Sequence, residues 1–261
     1  MDDETYSYYM DVVKKDTTDW LVDDTIINNY LSIVDEALTN EETFSSFKSS
    51  SRYGSIVGMS DERQAATWYK SLKNRFNLSL FSQNDICGAS LWLSDDEFKI
   101  SANTLHYVWT LQEIDEFFHF REAINVLELG VGYGGLCFVL SNFYKINEYC
   151  LIDLPIVQKL AQKYLGKLGV KSTLEPPEVV DLFISEFCLS EFTDYKIDEF
   201  YDLYVKKANN VYLQMNLHDE GRKQRFLRKL DKDFVYEVSD EFPKNPWPNY
   251  IIRGKKLKPH Q

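Results

Sequence analysis

Four of the chain's 11 glycines fall within six residues: Gly130, Gly132, Gly134 and Gly135. A largely apolar run, Val126–Leu129, precedes this glycine cluster, and a second apolar run, Leu136–Leu140, follows it. Glycine in regular structure costs up to about 1 kcal/mol per residue, so the clustering has a local cause. A tight strand-to-helix turn whose backbone closely approaches a ligand is such a cause. The glycine cluster therefore predicts a ligand-binding turn.

Two carboxylates accompany this turn. Glu128 stands two residues before the first glycine, and we expect it to face the mouth of the turn. The letters also match the dinucleotide pattern Gly-x-Gly-x-x-Gly, but a carboxylate there would repel a pyrophosphate. The cationic cofactor S-adenosylmethionine is compatible with it. Asp153 ends the next apolar run, 21 residues after Gly132, where a carboxylate can accept both ribose hydroxyls or cap the helix that begins near Pro155.

Short β-branched or aromatic runs alternate with helical runs after residue 120, which predicts a parallel sheet wrapped by helices. The predicted strands are 125–129, 149–153, 171–175, 179–185, 210–216, 234–238 and 250–253. The predicted helices are 134–144, 156–168, 190–207 and 219–230. The loop 239–249 is too short for a crossover helix, so the last strand is expected to be antiparallel. The predicted fold class is α/β, with a Rossmann-like, seven-stranded, mostly parallel sheet and an antiparallel last strand.

The first part of the chain has a different pattern. Apolar residues occur there at helical spacing in three runs: 26–38, 65–72 and 105–118. A Ser-rich stretch, 45–60, separates the first two runs and predicts a loop. We therefore predict two domains, a mainly helical N-terminal cap or lid over residues 1–120 and an α/β core over residues 121–261.

Composition narrows the functional classes. Of 261 residues, 44% are hydrophobic and 27% charged, as is typical of globular proteins. The net charge of −12 disfavours nucleic acid and anionic membrane surfaces as partners, although −8 of it lies in residues 1–40, which hold ten acids and two lysines. The acidic N-terminus is unlike a signal peptide, and the four cysteines lack metal or redox spacing. These features predict a cytoplasmic protein without a metal site.

Three segments resemble known methyltransferase motifs. Residues 126–135, Val-Leu-Glu-Leu-Gly-Val-Gly-Tyr-Gly-Gly, are similar to the first motif of class I S-adenosylmethionine-dependent methyltransferases. Residues 149–155, Tyr-Cys-Leu-Ile-Asp-Leu-Pro, resemble the second motif of the sugar O-methyltransferase family more narrowly. Residues 181–192 are similar to that family's Asp-Leu-x-Ile-Ser-x-x-x-Leu-Ser-Glu-Met segment, with Phe192 in place of Met. The similarity covers roughly residues 100–255.

This resemblance implies methyl transfer from S-adenosylmethionine to a sugar or glycan hydroxyl. It also implies fusion to, or partnership with, glycosyltransferase domains, because some members belong to larger glycan-building polypeptides, including viral ones that act in the host cytoplasm. The resemblance is also compatible with an oligomeric protein. The cofactor-binding residues that we predict are Glu128, Gly130, Gly132, Tyr133, Gly134, Gly135, Asp153, Leu154, Ser185 and Tyr107.

Methyl transfer to an alcohol also needs a base that removes the hydroxyl proton. His218 follows the fifth core strand with acids beside it, and we predict it as the catalytic base. Glu191, in the third family-like segment, is the rival, and Asp219 completes the predicted catalytic set. His106 lies on the helix before the core, where a lone histidine is more often a packed residue.

Three alternatives stay open at this stage. The same fold could methylate another small molecule or a protein. A non-catalytic methyltransferase-like scaffold is a further alternative, which the intact glycine turn and Asp153 disfavour. An oxidoreductase is disfavoured by Glu128 and by the antiparallel last strand.

Overall fold

Helices build most of the chain before residue 120. The computed structural model describes residues 24–57, 62–93, 99–217, 219–243 and 249–258. In chain order, the first elements are α1 (Asp24–Thr39), α2 (Glu41–Ser46), α3 (Ser51–Val57), α4 (Glu62–Leu72), β1 (Leu91–Leu93), β2 (Lys99–Ser101) and α5 (Ala102–Phe118). Short 3-10 helices cover Phe47–Ser49 and Leu78–Asp85, and β1 and β2 form a small antiparallel hairpin.

A mixed sheet follows, with helices between its strands. Its elements are β3 (Ile124–Leu129), α6 (Gly135–Ser141), β4 (Ile146–Ile152), α7 (Pro155–Lys167), β5 (Leu182–Glu186), α8 (Cys188–Glu191), α9 (Asp194–Leu203), β6 (Asn210–Asn216), α10 (Glu220–Leu230), β7 (Phe234–Asp240) and β8 (Asn249–Lys256). The strand order is β4-β3-β5-β6-β8-β7. Strands β3 to β6 are parallel, and β8 lies antiparallel between β6 and β7. The predicted α/β, Rossmann-like, mostly parallel architecture with an antiparallel last strand is confirmed.

The prediction of seven strands is wrong for the described chain, where this sheet has six, because the strand predicted at 171–175 is not formed. Only Thr173 in that segment forms a bridge, to Cys150 of β4. The consecutive prolines Pro176 and Pro177 lack the N–H donors that a longer ladder needs. The segment therefore touches the sheet edge at one residue and leaves it again.

Two predicted helical boundaries also differ from the structure. The Ser-rich stretch predicted as a loop contains the end of α2, the 3-10 helix Phe47–Ser49 and α3. The Asn40 side chain caps α2 by accepting hydrogen bonds from the N–H groups of Glu42 and Thr43. The predicted helix 190–207 is divided into α8, α9 and a 3-10 turn, because Phe192 and Thr193 are both extended. Apolar spacing alone therefore did not predict where these helices begin and end.

One hydrophobic core joins the early helices to one face of the sheet. It contains Val34, Trp68 and Leu105 from the helices together with Val126 and Ile184 from the strands, all fully buried. A second core fills the other face under α9 and α10. The division of domains near residue 120 stays a prediction. Within the described ranges, no helix is both long and apolar enough to cross a membrane.

A buried polar network ties the early helices to α7. Lys48 Nζ donates hydrogen bonds to the Asn84 carbonyl oxygen at 2.6 Å and to the Tyr164 hydroxyl at 2.7 Å. The Tyr164 hydroxyl donates to the same carbonyl at 2.7 Å, and Lys48 Nζ lies 3.8 Å from the centroid of the Tyr133 ring. Burial lowers the pKa of Lys48 to about 7. The Tyr164 hydroxyl therefore links Lys48 to Asn84 inside this buried network.

We expect Tyr164→Phe to lower the free energy of unfolding by about 1–3 kcal/mol, because the change removes one hydrogen-bond acceptor from the buried Lys48 ammonium and one donor from Asn84. Urea denaturation measures this difference. Tyr195→Phe is the matched control, since Tyr195 is 74% exposed and its hydroxyl is open to water. The control should change stability by less than about 0.5 kcal/mol. Equal stability of the two variants would contradict the role given to Tyr164.

Candidate functional site

Four residues on neighbouring strands form one row across the carboxyl edge of the sheet: Asp153, Gly130, Glu186 and Gln214. Leu129 of β3 pairs with Ile152 of β4 and with Ser185 of β5, so the next residue on each strand stands at the same level. Glu186 pairs in turn with Gln214 of β6. Neighbouring strands lie about 4.8 Å apart, so the row spans about 14 Å. Ligands of such sheets bind at this edge.

The glycine turn lies at the middle of the row and requires glycine for steric reasons. Gly130, Gly132 and Gly134 have φ values of 84°, 52° and 86°, in the left-handed region. A Cβ on Gly130 would overlap Cys188 and lie 2.8 Å from its Sγ. A Cβ on Gly135 would overlap the ring of Tyr107. The predicted tight turn between strand and helix is therefore present.

Asp153 holds this turn in place. Its carboxylate accepts hydrogen bonds from the N–H groups of Gly132 at 3.1 Å and Leu154 at 2.7 Å. Burial raises the pKa of Asp153 to about 6, although these backbone hydrogen bonds act in the opposite direction. The residue is only half-buried. Asp153 can thus orient the turn and still meet a ligand, and its ionisation falls near neutral pH.

Glu128 lies beneath the turn, which differs from the predicted position at its mouth. Its side chain is 3% exposed and accepts a hydrogen bond from the Tyr149 hydroxyl at 2.6 Å. Burial raises the pKa of Glu128 well above its usual value, and the nearby charge of Glu186 acts in the same direction. Alternation along β3 sets this direction, because Val126 points into the core on the same face.

A buried histidine–carboxylate pair lies beside the row. His106 Nε2 of α5 is 3.3 Å from Glu186 Oε1, and the Thr110 hydroxyl donates to the same oxygen at 2.5 Å. His106 is 3% exposed, and its Nδ1 has no hydrogen-bond partner among the described residues. Burial lowers the pKa of His106, but the charge and hydrogen bond of Glu186 and the charge of Glu241 raise it further, so the net shift is upward.

A second buried carboxylate, Glu241, completes this group. It accepts hydrogen bonds from Gln214 Nε2 at 2.8 Å and from Asn249 Nδ2 at 2.7 Å. The amide oxygens of Gln214 and Asn249 are buried and, like His106 Nδ1, unpartnered in the described part of the chain. We call His106, Glu186, Gln214, Glu241 and Asn249 the polar pocket group. Unpartnered acceptors of this kind favour a ligand that donates hydrogen bonds.

Two of the three predicted catalytic residues, Glu191 and Asp219, lie near the end of β6. His218 lies outside the described residues, so its role stays a prediction. Glu191 accepts a hydrogen bond from Asn216 Nδ2. Asp219 is the N-cap of α10 and accepts a hydrogen bond from the Arg222 N–H at 2.7 Å. The structure thus places Glu191 and Asp219 near β6 and gives each a structural partner.

Three predicted cofactor residues are largely engaged with the protein itself. The Ser185 hydroxyl accepts a hydrogen bond from the Leu189 N–H at 3.1 Å. The Tyr133 hydroxyl accepts one from Asn84 Nδ2 at 3.2 Å, and its ring packs against that of Tyr107. These side chains shape the walls around the turn, and cofactor contact by them stays a prediction.

Sequence reasoning missed the pairing of His106 with Glu186. The two residues are 80 positions apart, and only the packing of α5 on the sheet brings them together. The sequence offered only two weak signals: a single histidine on the helix before the core, and an acid at the end of β5. Among the described residues, no group of three or more His, Cys, Asp or Glu could hold a metal ion.

No family model and no curated protein sequence matches this chain. Solved structures do resemble it. An rRNA methylase from Streptococcus thermophilus is 11% identical with a TM-score of 0.45, over 57% of this chain and 95% of that one. TrmK from M. capricolum, bound to its natural cofactor product S-adenosylhomocysteine, is 14% identical with a TM-score of 0.43, over 57% and 69%. A Pyrococcus furiosus methyltransferase is 10% identical with a TM-score of 0.45, over 76% and 100%.

Two of these structures are described as a methylase or methyltransferase, and the third holds S-adenosylhomocysteine. The comparisons do not support the narrower resemblance to sugar O-methyltransferases. Identities below 25% and TM-scores below 0.5 do not by themselves assign a function or a cofactor to this chain. Any functional assignment therefore depends on the geometry of the site.

We expect Gly130→Ala to lower the free energy of unfolding by at least about 2 kcal/mol, because a positive φ and the overlap with Cys188 both oppose a side chain. Thermal and urea denaturation measure the loss. Gly166→Ala is the matched control, since nothing lies within 4 Å of its added Cβ. It should stabilise helix α7 by about 0.5–1 kcal/mol. Similar effects at both positions would show that the turn does not require glycine.

Proposed function

We propose that this chain is an S-adenosylmethionine-dependent methyltransferase that acts on a hydroxyl of a sugar-type acceptor. The row of Asp153, Gly130, Glu186 and Gln214 is the observation that carries the proposal. One end of this row suits a nucleoside, and the other end suits a neutral polar acceptor. The glycine turn separates the two.

The residues at the first end fit the proposed cofactor. Left-handed glycines allow close approach of the backbone, and the half-buried Asp153 can accept ribose hydroxyls. Three more carboxyl groups are buried nearby on the same face of the sheet: Glu128, Glu186 and Glu241. An acidic environment of this kind favours a sulfonium and an α-amino group, and it disfavours the pyrophosphate of a dinucleotide.

The residues at the second end fit a neutral acceptor rich in hydroxyl groups. The unpartnered amide oxygens of Gln214 and Asn249 are hydrogen-bond acceptors, which sugar hydroxyls can satisfy. The buried rings of Trp68 and Trp109 lie 5.2 and 6.3 Å from that of His106 and form an apolar wall beside it. Glu186 and Glu241 oppose a phosphate at this position, which disfavours nucleic-acid backbone as the acceptor.

The protein's part in the reaction is to position the acceptor and to exclude water. S-adenosylmethionine, when bound, supplies the electrophilic methyl group. Asp153 would hold the ribose, and the glycine turn would allow the cofactor to approach the sheet edge. Helix α5 covers the face on which Glu128 and Glu186 lie, so the acceptor hydroxyl would meet the methyl group in a partly dry site.

We expect titration calorimetry to detect 1:1 binding of S-adenosylhomocysteine and no binding of NAD. Asp153→Ala should weaken that binding at least about tenfold, because the ribose loses its acceptor. Glu237→Ala, an exposed acid on the opposite sheet edge, serves as the control and should leave the affinity unchanged. Binding of NAD in place of S-adenosylhomocysteine would overturn the proposal.

The affinity for S-adenosylhomocysteine should also depend on pH through Asp153. In the ligand-free protein the carboxyl group of Asp153 has a pKa of about 6, and ribose hydroxyls bind its ionised form. Ionisation is nearly complete at pH 7.5 but only about one tenth at pH 5, so Kd should rise about tenfold over that interval. In Asp153→Asn, binding should be weaker but this pH dependence should be lost. A pH-independent wild-type Kd would contradict the ribose assignment.

The acceptor class needs a separate experiment. A panel of glycosides with single deoxy positions, incubated with the protein and S-adenosylmethionine, should give one product heavier by a methyl group in mass spectrometry. The deoxy compound that lacks the reactive hydroxyl should give none. If protein or RNA were methylated and every glycoside ignored, the methyltransferase assignment would stand and the sugar acceptor would be wrong.

A further inference from the structure

We infer that His106 and Glu186 form the proton-accepting pair of this enzyme, with His106 Nδ1 removing the proton from the acceptor hydroxyl. The inference rests on the proposed methyl transfer and assigns its general base. It moves that role from the predicted His218, Glu191 and Asp219 to a histidine on α5.

The first support is the state in which the imidazole is held. Glu186 Oε1 lies 3.3 Å from Nε2, and a carboxylate there favours a proton on Nε2. The neutral ring then has a free lone pair on Nδ1. Thr110 fixes the carboxylate by donating to the same oxygen at 2.5 Å. The pair is therefore arranged so that Nδ1 can accept a proton.

The second support is the unpartnered state of Nδ1. His106 is 3% exposed, and its Nδ1 finds no hydrogen-bond partner within the described ranges. Leaving a buried polar atom unpaired is unfavourable, and a donor on a bound ligand would remove that cost. The amide oxygens of Gln214 and Asn249 share this state. Three unpartnered acceptors in one polar pocket group suit an acceptor molecule with several hydroxyls.

The third support is location. Glu186 stands level with Gly130 and Asp153 in the row, about 5 Å along the sheet from the glycine turn. His106 contacts it from the helix that covers this face. Through Glu186, the imidazole of His106 is therefore joined to the middle of the row, next to the glycine turn.

The fourth support is the charge that acts on the ring. Glu186 on β5 and Glu241 after β7 are the charged groups that raise the pKa of His106 against the effect of burial. Both would stabilise the imidazolium that forms when Nδ1 takes a proton. The rings of Trp68, Trp109 and Phe187 surround the imidazole, with centroids 5.2–6.4 Å away, and exclude water.

The proposed step transfers a methyl group to the acceptor oxygen and a proton to His106. The acceptor oxygen forms a bond to the methyl carbon while the carbon–sulfur bond breaks and its electron pair stays on sulfur. The hydroxyl proton moves to His106 Nδ1, and the imidazolium is paired with Glu186. After the methylated product leaves, the proton passes to solvent and the neutral imidazole returns.

Histidine NMR of the cofactor-free protein tests the state of the ring without any turnover. His106→Gln identifies the His106 signals in ¹⁵N-labelled protein, which has four histidines. We expect the pKa of His106 to lie above that of a free imidazole and the ring, where it is neutral, to carry its proton on Nε2. Glu186→Gln should lower that pKa, and His119→Asn, at the exposed end of α5, should leave it unchanged. A neutral ring protonated on Nδ1 would overturn the assignment.

Kinetics test the role itself. His106→Gln should keep the Kd for S-adenosylhomocysteine within threefold and lower kcat by about 10²- to 10⁴-fold. Glu186→Gln should move the acidic limb of the kcat/KM pH profile to lower pH, which a merely structural residue would not do. This second variant also serves if His106→Gln does not fold. Unchanged turnover in His106→Gln, or an unmoved limb in Glu186→Gln, would overturn the inference.

Failure of the inference and failure of the proposed function give different results. If the wild-type protein binds S-adenosylhomocysteine and methylates its acceptor while His106→Gln turns over normally, the proposed function stands and only the base is wrong. If the wild-type protein does not bind S-adenosylhomocysteine, the proposed function fails, and the assignment of a base fails with it.

Discussion

Carboxyl groups buried under one face of the sheet are the constraint on which the rest of the structure depends. Glu128, Glu186 and Glu241 all lie beneath covering elements, and each would cost several kcal/mol without compensating donors. The donors come from different parts of the chain: Tyr149 of β4, Thr110 of α5, and Gln214 and Asn249 of β6 and β8. These hydrogen bonds fix α5 and β8 against the parallel strands, so the same interactions that satisfy the acids also position the site.

Such acids are a poor means of stabilising a fold. Apolar residues of similar volume would fill the same space without the cost of removing a charge from water. Burial raises the pKa of Glu128 and Glu241, which is the thermodynamic expression of that cost. Where local rules of packing are broken in this way, the compensation is usually functional. The concentration of acids on this face of the sheet therefore supports a cationic ligand more strongly than it supports a structural role.

Sequence was sufficient for the features that depend on local chemistry. The glycine cluster predicted the turn, the alternation of runs predicted the sheet, and the short loop 239–249 predicted the antiparallel strand. It was insufficient where a neighbour in space decides the outcome. The segment 171–175 has a strand-like composition but finds one bridge at the sheet edge. Alternation along β3 turns Glu128 inward, where Tyr149 donates to it, and the pairing of His106 with Glu186 depends on packing across 80 residues.

The predicted division into a cap and a core separates residues that contact one another in the structure. Helix α5 belongs to the predicted cap, yet His106 meets a carboxylate at the end of β5. Trp68 of α4 packs on the same imidazole, and its Nε1 donates to the carbonyl of Phe242 beyond β7. A core that began at residue 121 would keep the glycine turn and Asp153, but it would lack the histidine and the aromatic wall around it. The early helices therefore contribute residues to the candidate site as well as cover this face of the sheet.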